Sequence, residues 1–223
     1  MRCVAIVPAY NNQSTISETV RALADDDRVD EVIVVDDGSA DQTAALAETA
    51  GARVLRQSVN RGKHVVLEKG MTEAGEAVLL MVDADTGSSA KAAIALVAPV
   101  AAGKADMVIG ILPSAEGQGG FGLVKGTAAW LIKAVSGFES VAPMSGQRAL
   151  NRQVFEACRP LSEGFAVDAM LTAKAARKGF RLLELPVEMT HDHTGRTMSG
   201  FLHRGRQGYH VLKAFLPALV RRS

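Results

Sequence analysis

The chain has 223 residues, with 25 Lys plus Arg against 24 Asp plus Glu, so it lacks the surplus of positive charge that nonspecific nucleic-acid binding requires. Cysteine is scarce. Cys3 and Cys158 form no CxxC or other metal-like spacing, and they read as free thiols in a reducing cytosol. No uninterrupted apolar run is long enough to span a bilayer. A charged leader with an apolar core is missing too, because Cys3-Val4-Ala5-Ile6-Val7 already reads as a strand. These absences predict a cytoplasmic protein, with peripheral contact at the inner face of a membrane left open. With no internal repeat and no linker-like stretch, one domain over residues 1–223 is expected.

What is present points to an α/β fold. Short β-branched runs (Cys3–Val7, Glu31–Val35, Ala52–Leu55, Val78–Val82, Asp106–Gly110) alternate with helical segments near 14–24, 41–50, 63–74 and 89–102. The first helix is expected to be N-capped near Ser14, and Gly51 to stop the second. Continuous apolar runs with helices rather than hairpins between them describe a mostly parallel sheet covered on both faces. The second half is less regular. Helices are expected at 123–135 and 165–178, with a late strand over 181–187. Residues 191–223 then form a basic loop and a C-terminal helix.

In such a sheet, ligands bind at the carboxyl ends of the strands. Three of those ends carry unusual residues: Pro8-Ala9-Tyr10-Asn11-Asn12, Asp36-Asp37-Gly38-Ser39 and Asp83-Ala84-Asp85. Any one of them reads equally as a turn, since Asp, Asn, Gly and Ser are the usual turn residues. Three on one sheet edge suit a polyhydroxylated ligand and a hard cation. The third is the most demanding. Carboxylates at i and i+2 repel, so a basic side chain or a metal ion is expected beside Asp83 and Asp85.

The order Val7-Pro8-Ala9-Tyr10-Asn11, Val34-Val35-Asp36-Asp37-Gly38-Ser39, Asn60-Arg61-Gly62-Lys63 and Asp83-Ala84-Asp85 resembles the family 2 glycosyltransferases of GT-A (Rossmann-like) fold. Within them it is most similar to the polyprenol-phosphate mannosyltransferase and glucosyl-3-phosphoglycerate synthase branches. The resemblance implies a donor site of Pro8, Ala9, Tyr10, Asn11, Asp37, Gly38, Ser39, Lys63, Asp83, Ala84 and Asp85. The donor would be a UDP- or GDP-sugar, with Asp37 on the nucleobase or ribose and Lys63 near the nucleotide. Lys63 reads equally as a solvated lysine at a helix start. Asp83 and Asp85 would be the D-x-D pair, holding Mg²⁺ or Mn²⁺ against the diphosphate, with His191 as a third ligand. His191 and His193 can also be read as solvated loop residues.

Ser145-Gly146-Gln147-Arg148 resembles the family's SGFR-like segment, which places Gln147 at the acceptor and Arg148 beside phosphate; Gln147 stands where an aromatic is common. Asp168 resembles the acidic helix start of inverting members, where it would be a general base; alternatively it stabilises the helix N-terminus. Arg196 and Arg204, with His203 and Arg206, form a basic cluster suited to the phosphate of the acceptor, a phosphorylated small molecule or a polyprenyl phosphate.

Gly117-Gln118-Gly119-Gly120-Phe121-Gly122 satisfies GxGxxG, yet no strand leads into it directly, so a dinucleotide fingerprint is rejected in favour of a hinged loop. The apolar stripe of 208–220 packs on its own domain, on a second subunit in a homodimer, or in a membrane interface. Two other functions fit an α/β chain: a sugar nucleotidyltransferase and a non-catalytic sugar-nucleotide-binding module. Against the first stands Pro8-Ala9-Tyr10-Asn11, where a glycine-rich basic loop would be needed. Against the second stands the intact Asp83 and Asp85.

Overall fold

The computed structural model describes residues 1–113 and 121–189, together with Phe215. A seven-stranded sheet has the order β3-β2-β1-β4-β6-β5-β7. Its strands are β1 (Cys3–Ala9), β2 (Glu31–Asp36), β3 (Arg53–Arg56), β4 (Val78–Met81), β5 (Met107–Ile111), β6 (Arg148–Leu150) and β7 (Leu182–Pro186). All run parallel except β6, which is antiparallel to both β4 and β5 (Leu80↔Ala149, Val108↔Ala149). The expected mostly parallel α/β sheet is therefore what forms.

Both faces are covered, which is why the central strands read as unbroken apolar runs. On one face Ala5, Val7, Val34 and Leu80 pack against Ile16, Val20 and Leu23 of helix α1 (Ile16–Ala24). On the other, Val4, Ile6, Ile33, Val35 and Met81 meet helix α3 (Lys63–Glu73) and Val154, Phe155 and Cys158 of α6 (Arg152–Cys158). Helix α2 (Thr43–Thr49) lies between β2 and β3 in sequence. A third cluster joins α5 (Phe121–Ser136) to α7 (Val167–Arg177), and Phe215 is buried within it. At that residue, the C-terminal stripe packs on its own domain.

Three local expectations change. Helix α1 begins at Ile16 after Thr15, with no side-chain cap, because the Thr15 hydroxyl donates instead to the Ala84 carbonyl at 2.9 Å. The helix expected over 89–102 is a 3₁₀ helix from Gly87 to Leu96 followed by α4 (Val97–Ala101). Buried Ala90, Ala93 and Leu96 recur every three residues, the period of a 3₁₀ turn. The short β6 and α6 were not expected. A three-residue strand beginning with arginine carries no periodic signal, whereas α6 has a readable cap: the Asn151 side chain accepts from the Val154 amide at 3.0 Å.

Helix α3 sits close on the sheet because Gly70 has no side chain. A β-carbon there would lie 2.7 Å from Ile6 Cγ2 and 2.9 Å from Val35 Cγ2. Gly70→Val should therefore lower stability by about 1–3 kcal/mol, the range for overpacking a core. Urea unfolding would measure it, and an unchanged midpoint would show that α3 does not rest on β1 and β2 as described.

Candidate active site

The carboxyl ends of β1, β2 and β4 open on one cleft of about 230 Å³, lined by Pro8, Ala9, Tyr10, Asn12, Asp37, Lys63, Val66, Asp83, Ala84 and Asp85. Eight of these belong to the donor site that the family resemblance implied: Pro8, Ala9, Tyr10, Asp37, Lys63, Asp83, Ala84 and Asp85. Asn11, Gly38 and Ser39 instead build the turns around the cleft. The Asn11 amide donates to Ser39 Oγ at 2.9 Å, and Asn11 Oδ1 accepts from the Ala40 amide at 3.0 Å. Gly38 has φ +76°, and a β-carbon there would come within 2.9 Å of the Val59 carbonyl carbon. Asp37 is buried, and its two oxygens accept from the Arg61 and Gly62 amides, each at 2.8 Å. That contact fixes the loop from which Lys63 enters α3.

The acidic turn after β4 is held from three sides. Below it, the α1 hydroxyls of Thr15 and Thr19 donate to the Ala84 carbonyl at 2.9 and 3.1 Å. Thr86 Oγ1 closes the turn onto the Asp83 carbonyl at 2.9 Å. Beside it, Gln147 clamps Asp83: Oε1 accepts the Asp83 amide at 3.2 Å, while Nε2 donates to Asp83 Oδ2 at 2.9 Å. From α3, Lys63 Nζ donates to Asp83 Oδ1 at 2.8 Å. The positive group anticipated beside the two carboxylates is thus present in the protein itself, as Lys63.

Lys63 also reaches Asp168 Oδ2, in the first turn of α7, at 3.3 Å. Behind Asp168 lies Arg148, which is 0% exposed, with Nε 3.9 Å from Asp168 Oδ1. The guanidinium donates to the Ser145 carbonyl at 2.8 Å and to Thr172 Oγ1 at 2.7 Å. Arg148 Nη2 and Asp168 Oδ1 are buried without a hydrogen-bond partner. Charges therefore alternate through the site: Arg148, Asp168, Lys63, Asp83. Burial alone would push the Lys63 ammonium down, but Asp168 and Asp83 outweigh it and hold its pKa above the ordinary lysine value. Burial lowers that of Arg148 against the pull of Asp168, Glu184 and Asp83, yet an arginine starts so high that it stays charged.

The orientation of β6 brings these groups together. Because it runs antiparallel, its first residue lies beside the carboxyl ends of β4 and β5 (Met81↔Arg148, Ile109↔Arg148). Gly146, Gln147 and Arg148 thereby arrive at the edge where the acidic turn sits. The segment before them is anchored by Glu184 of β7, which accepts from Ser140 Oγ at 2.6 Å and from the Val141 and Ala142 amides at 2.6 and 3.1 Å.

Two assignments gain different partners. Gln147, expected at the acceptor, is 0% exposed and engaged with Asp83. Arg148, expected beside phosphate, is an interior cation facing Asp168. His191, His193, Arg196, His203, Arg204 and Arg206 lie outside the described residues, as do positions 117–120 of the glycine-rich loop. Thr15, Thr19 and Glu184 were not singled out, and Gly146 was quoted within its segment without a role of its own. Thr15 and Thr19, hydroxyls four apart at the start of α1, left a trace in the sequence.

Among the described residues, no group of three or more His, Cys, Asp or Glu side chains could hold a metal ion. Mg²⁺ or Mn²⁺ needs less from the protein, one or two carboxylates with the remaining oxygens from phosphate and water, and Asp83 and Asp85 on the cleft wall meet that need.

The sequence profile of glycosyl transferase family 2 matches residues 4–157, which includes β1 to β6 and the whole acidic turn. The chain belongs to that family. Glycosyltransferase AglJ of Haloferax volcanii is 28% identical over 185 residues, 81% of this chain and 60% of its own length. Dolichyl-phosphate beta-glucosyltransferase of Dictyostelium discoideum is 33% identical over 102 residues, but these are only 39% of this chain and 31% of that protein. Among solved structures, glucosyl-3-phosphoglycerate synthase from Mycobacterium tuberculosis, in complex with Mn²⁺, UDP-glucose and phosphoglyceric acid, superposes with a TM-score of 0.79. It is 23% identical, over 98% of this chain and 79% of that one, which shows a shared GT-A fold. Among the described residues of this glycosyltransferase, no helix is long and apolar enough to cross a membrane.

Gly146 is the tightest point of the site. A β-carbon there would fall 2.3 Å from Asp83 Oδ2, inside the clamp made by Lys63 and Gln147. Gly146→Ala should displace the carboxylate and lower transferase turnover by about 100-fold, the scale of a misplaced reacting geometry. Gly126→Ala, where the space is open, is the matched control. Equal turnover in the two variants would show that the position of Asp83 is not critical.

Proposed function

We propose that this glycosyltransferase moves a sugar from a UDP- or GDP-sugar to an anionic acceptor, a phosphorylated small molecule or a polyprenyl phosphate. The observation that carries this reading is the composition of the cleft. One wall offers Pro8, Ala9, Tyr10 and Asp37, suited to a nucleoside, and the other offers Lys63, Asp83 and Asp85, suited to a diphosphate with its cation. Each Asp37 oxygen already accepts one backbone amide and keeps a lone pair for a nucleobase or ribose donor. The M. tuberculosis enzyme, crystallised with Mn²⁺ and UDP-glucose, supports the donor class. The Dictyostelium relative, named for a dolichyl phosphate, supports a lipid-phosphate acceptor.

In this reading Asp83 and Asp85 hold Mg²⁺ or Mn²⁺. The ion, when bound, supplies Lewis-acid stabilisation of the charge that grows on the departing diphosphate. Lys63 adds a second positive charge at the same end of the donor. Gln147 and Gly146 keep Asp83 in place, and Thr15 and Thr19 keep the turn from opening. Asp168, in the first turn of α7 beside Lys63, would take the proton of an acceptor hydroxyl. An acceptor that attacks through a phosphate oxygen brings its own negative charge and needs no base; Asp168 then serves as the counter-ion of Lys63. His191 would complete the cation's ligands, and Arg196 and Arg204 would bind acceptor phosphate.

A panel of UDP- and GDP-sugars, with and without Mn²⁺, tests the proposal by thermal shift and by release of nucleoside diphosphate. One donor should stabilise the protein only with the cation. Asp85→Ala should abolish that dependence and lower turnover by about 100-fold or more, as loss of a charge-stabilising group does. Full turnover in excess chelator would contradict the reading, as would pyrophosphate exchange in place of diphosphate release.

A further inference from the structure

The cation reading leaves a conflict inside the site. Asp83 would hold a divalent ion, yet its Oδ1 is already in contact with the Lys63 ammonium at 2.8 Å. The other oxygen is tied to Gln147 Nε2 at 2.9 Å, and Gly146 packs against the carboxylate so closely that it cannot turn toward that side. Two cations sharing one oxygen repel strongly in a partly dehydrated cleft. Lys63, at the first position of α3, also stands where the helix dipole disfavours a positive charge, so it relies on carboxylate partners.

A second place for the ammonium is prepared. Asp168 lies 3.3 Å from Nζ, is 6% exposed, and its Oδ1 is buried without a hydrogen-bond partner. It has acceptor capacity left over. The interior guanidinium of Arg148 lies behind it, with Nε 3.9 Å from Oδ1. The four-carbon stem of a lysine is flexible enough to swing between two such carboxylates.

We infer that Lys63 is a placeholder for the divalent cation, occupying Asp83 until the cation binds and then moving to Asp168 and the donor diphosphate. This rests on the cation site proposed above and adds a thermodynamic link to it. Before donor arrives, the cation must displace an ammonium, so it binds weakly by itself. Once displaced, the ammonium is available to the diphosphate, so each ligand tightens the other by the same factor. Asp168 is then a positioning residue for Lys63 whatever the acceptor.

The test measures Mn²⁺ binding to the full chain from the paramagnetic resonance signal of the free ion, with and without UDP or GDP. Wild type should bind Mn²⁺ weakly alone and about 10-fold or more tightly with its preferred nucleoside diphosphate. Lys63→Met should bind Mn²⁺ alone about 5- to 50-fold more tightly than wild type, and lose most of the coupling. Lys63→Arg, which restores the charge, should return toward wild type. No tightening in Lys63→Met, with Asp83→Asn still abolishing Mn²⁺ binding, overturns this inference and leaves the cation site standing. Unchanged Mn²⁺ binding in Asp83→Asn overturns both. Should Lys63→Met not fold, crystals of wild type with Mn²⁺ alone decide: Nζ on Asp168 and away from Asp83 supports the switch, and Nζ still on Asp83 beside the ion overturns it.

Discussion

Lys63 stands between Asp83 and Asp168, 2.8 Å from one carboxylate and 3.3 Å from the other, and most of the active site is arranged around that contact. Without the ammonium, the acidic turn after β4 and the acidic first turn of α7 would lose the cation they share. With it, helix α3, strand β4 and helix α7 are joined through a single nitrogen. Arg148 extends the alternation inward and makes the group neutral as a whole: two cations and two carboxylates. Such a group tolerates burial because each charge sees the opposite sign nearby.

The fold supplies this geometry through strand direction. Parallel strands β1, β2 and β4 deliver their carboxyl ends to one edge, and with them Pro8, Ala9, Tyr10, Asp37 and the acidic turn. The antiparallel β6 adds what a wholly parallel sheet would not, since the start of that strand lies at the same edge. Glu184 anchors the segment leading into it, and Asp37 anchors the loop leading into α3. Both are carboxylates whose visible work is to fix backbone. The residues that touch ligand under the proposed reading are thus held by a second set of polar groups, mostly hydroxyls and amides from distant parts of the chain.

Family membership places the protein among glycosyltransferases, and the cleft gives that membership a physical form. Under the proposed reading, Pro8, Ala9, Tyr10 and Asp37 meet the nucleoside end of a nucleotide-sugar, and Lys63, Asp83 and Asp85 its diphosphate end. The link inferred between cation and diphosphate follows from the same crowding of charge. An oxygen that must serve an ammonium in one state and a metal ion in another makes binding of the two ligands interdependent. No separate regulatory element is required.

The amino-acid sequence by itself determined the parallel sheet, because strands buried on both faces must be continuously apolar and the helices between them are long enough to cross over. It also pointed to the strand ends that line the cleft, since three clusters of turn-type and acidic residues on one sheet edge are harder to explain as turns than any one alone. Only the tertiary structure decided what those residues touch. Gln147 proved to be a clamp on Asp83, Arg148 an interior counter-ion, and Thr15 a brace for the acidic turn rather than a helix cap. Each depends on a partner 20 or more positions away, as with Arg148 to Asp168, and local pattern holds no record of such pairings. The strand β6 was hidden for the same reason: three residues carry no period, and its place is set by the edges of β4 and β5 that await a partner.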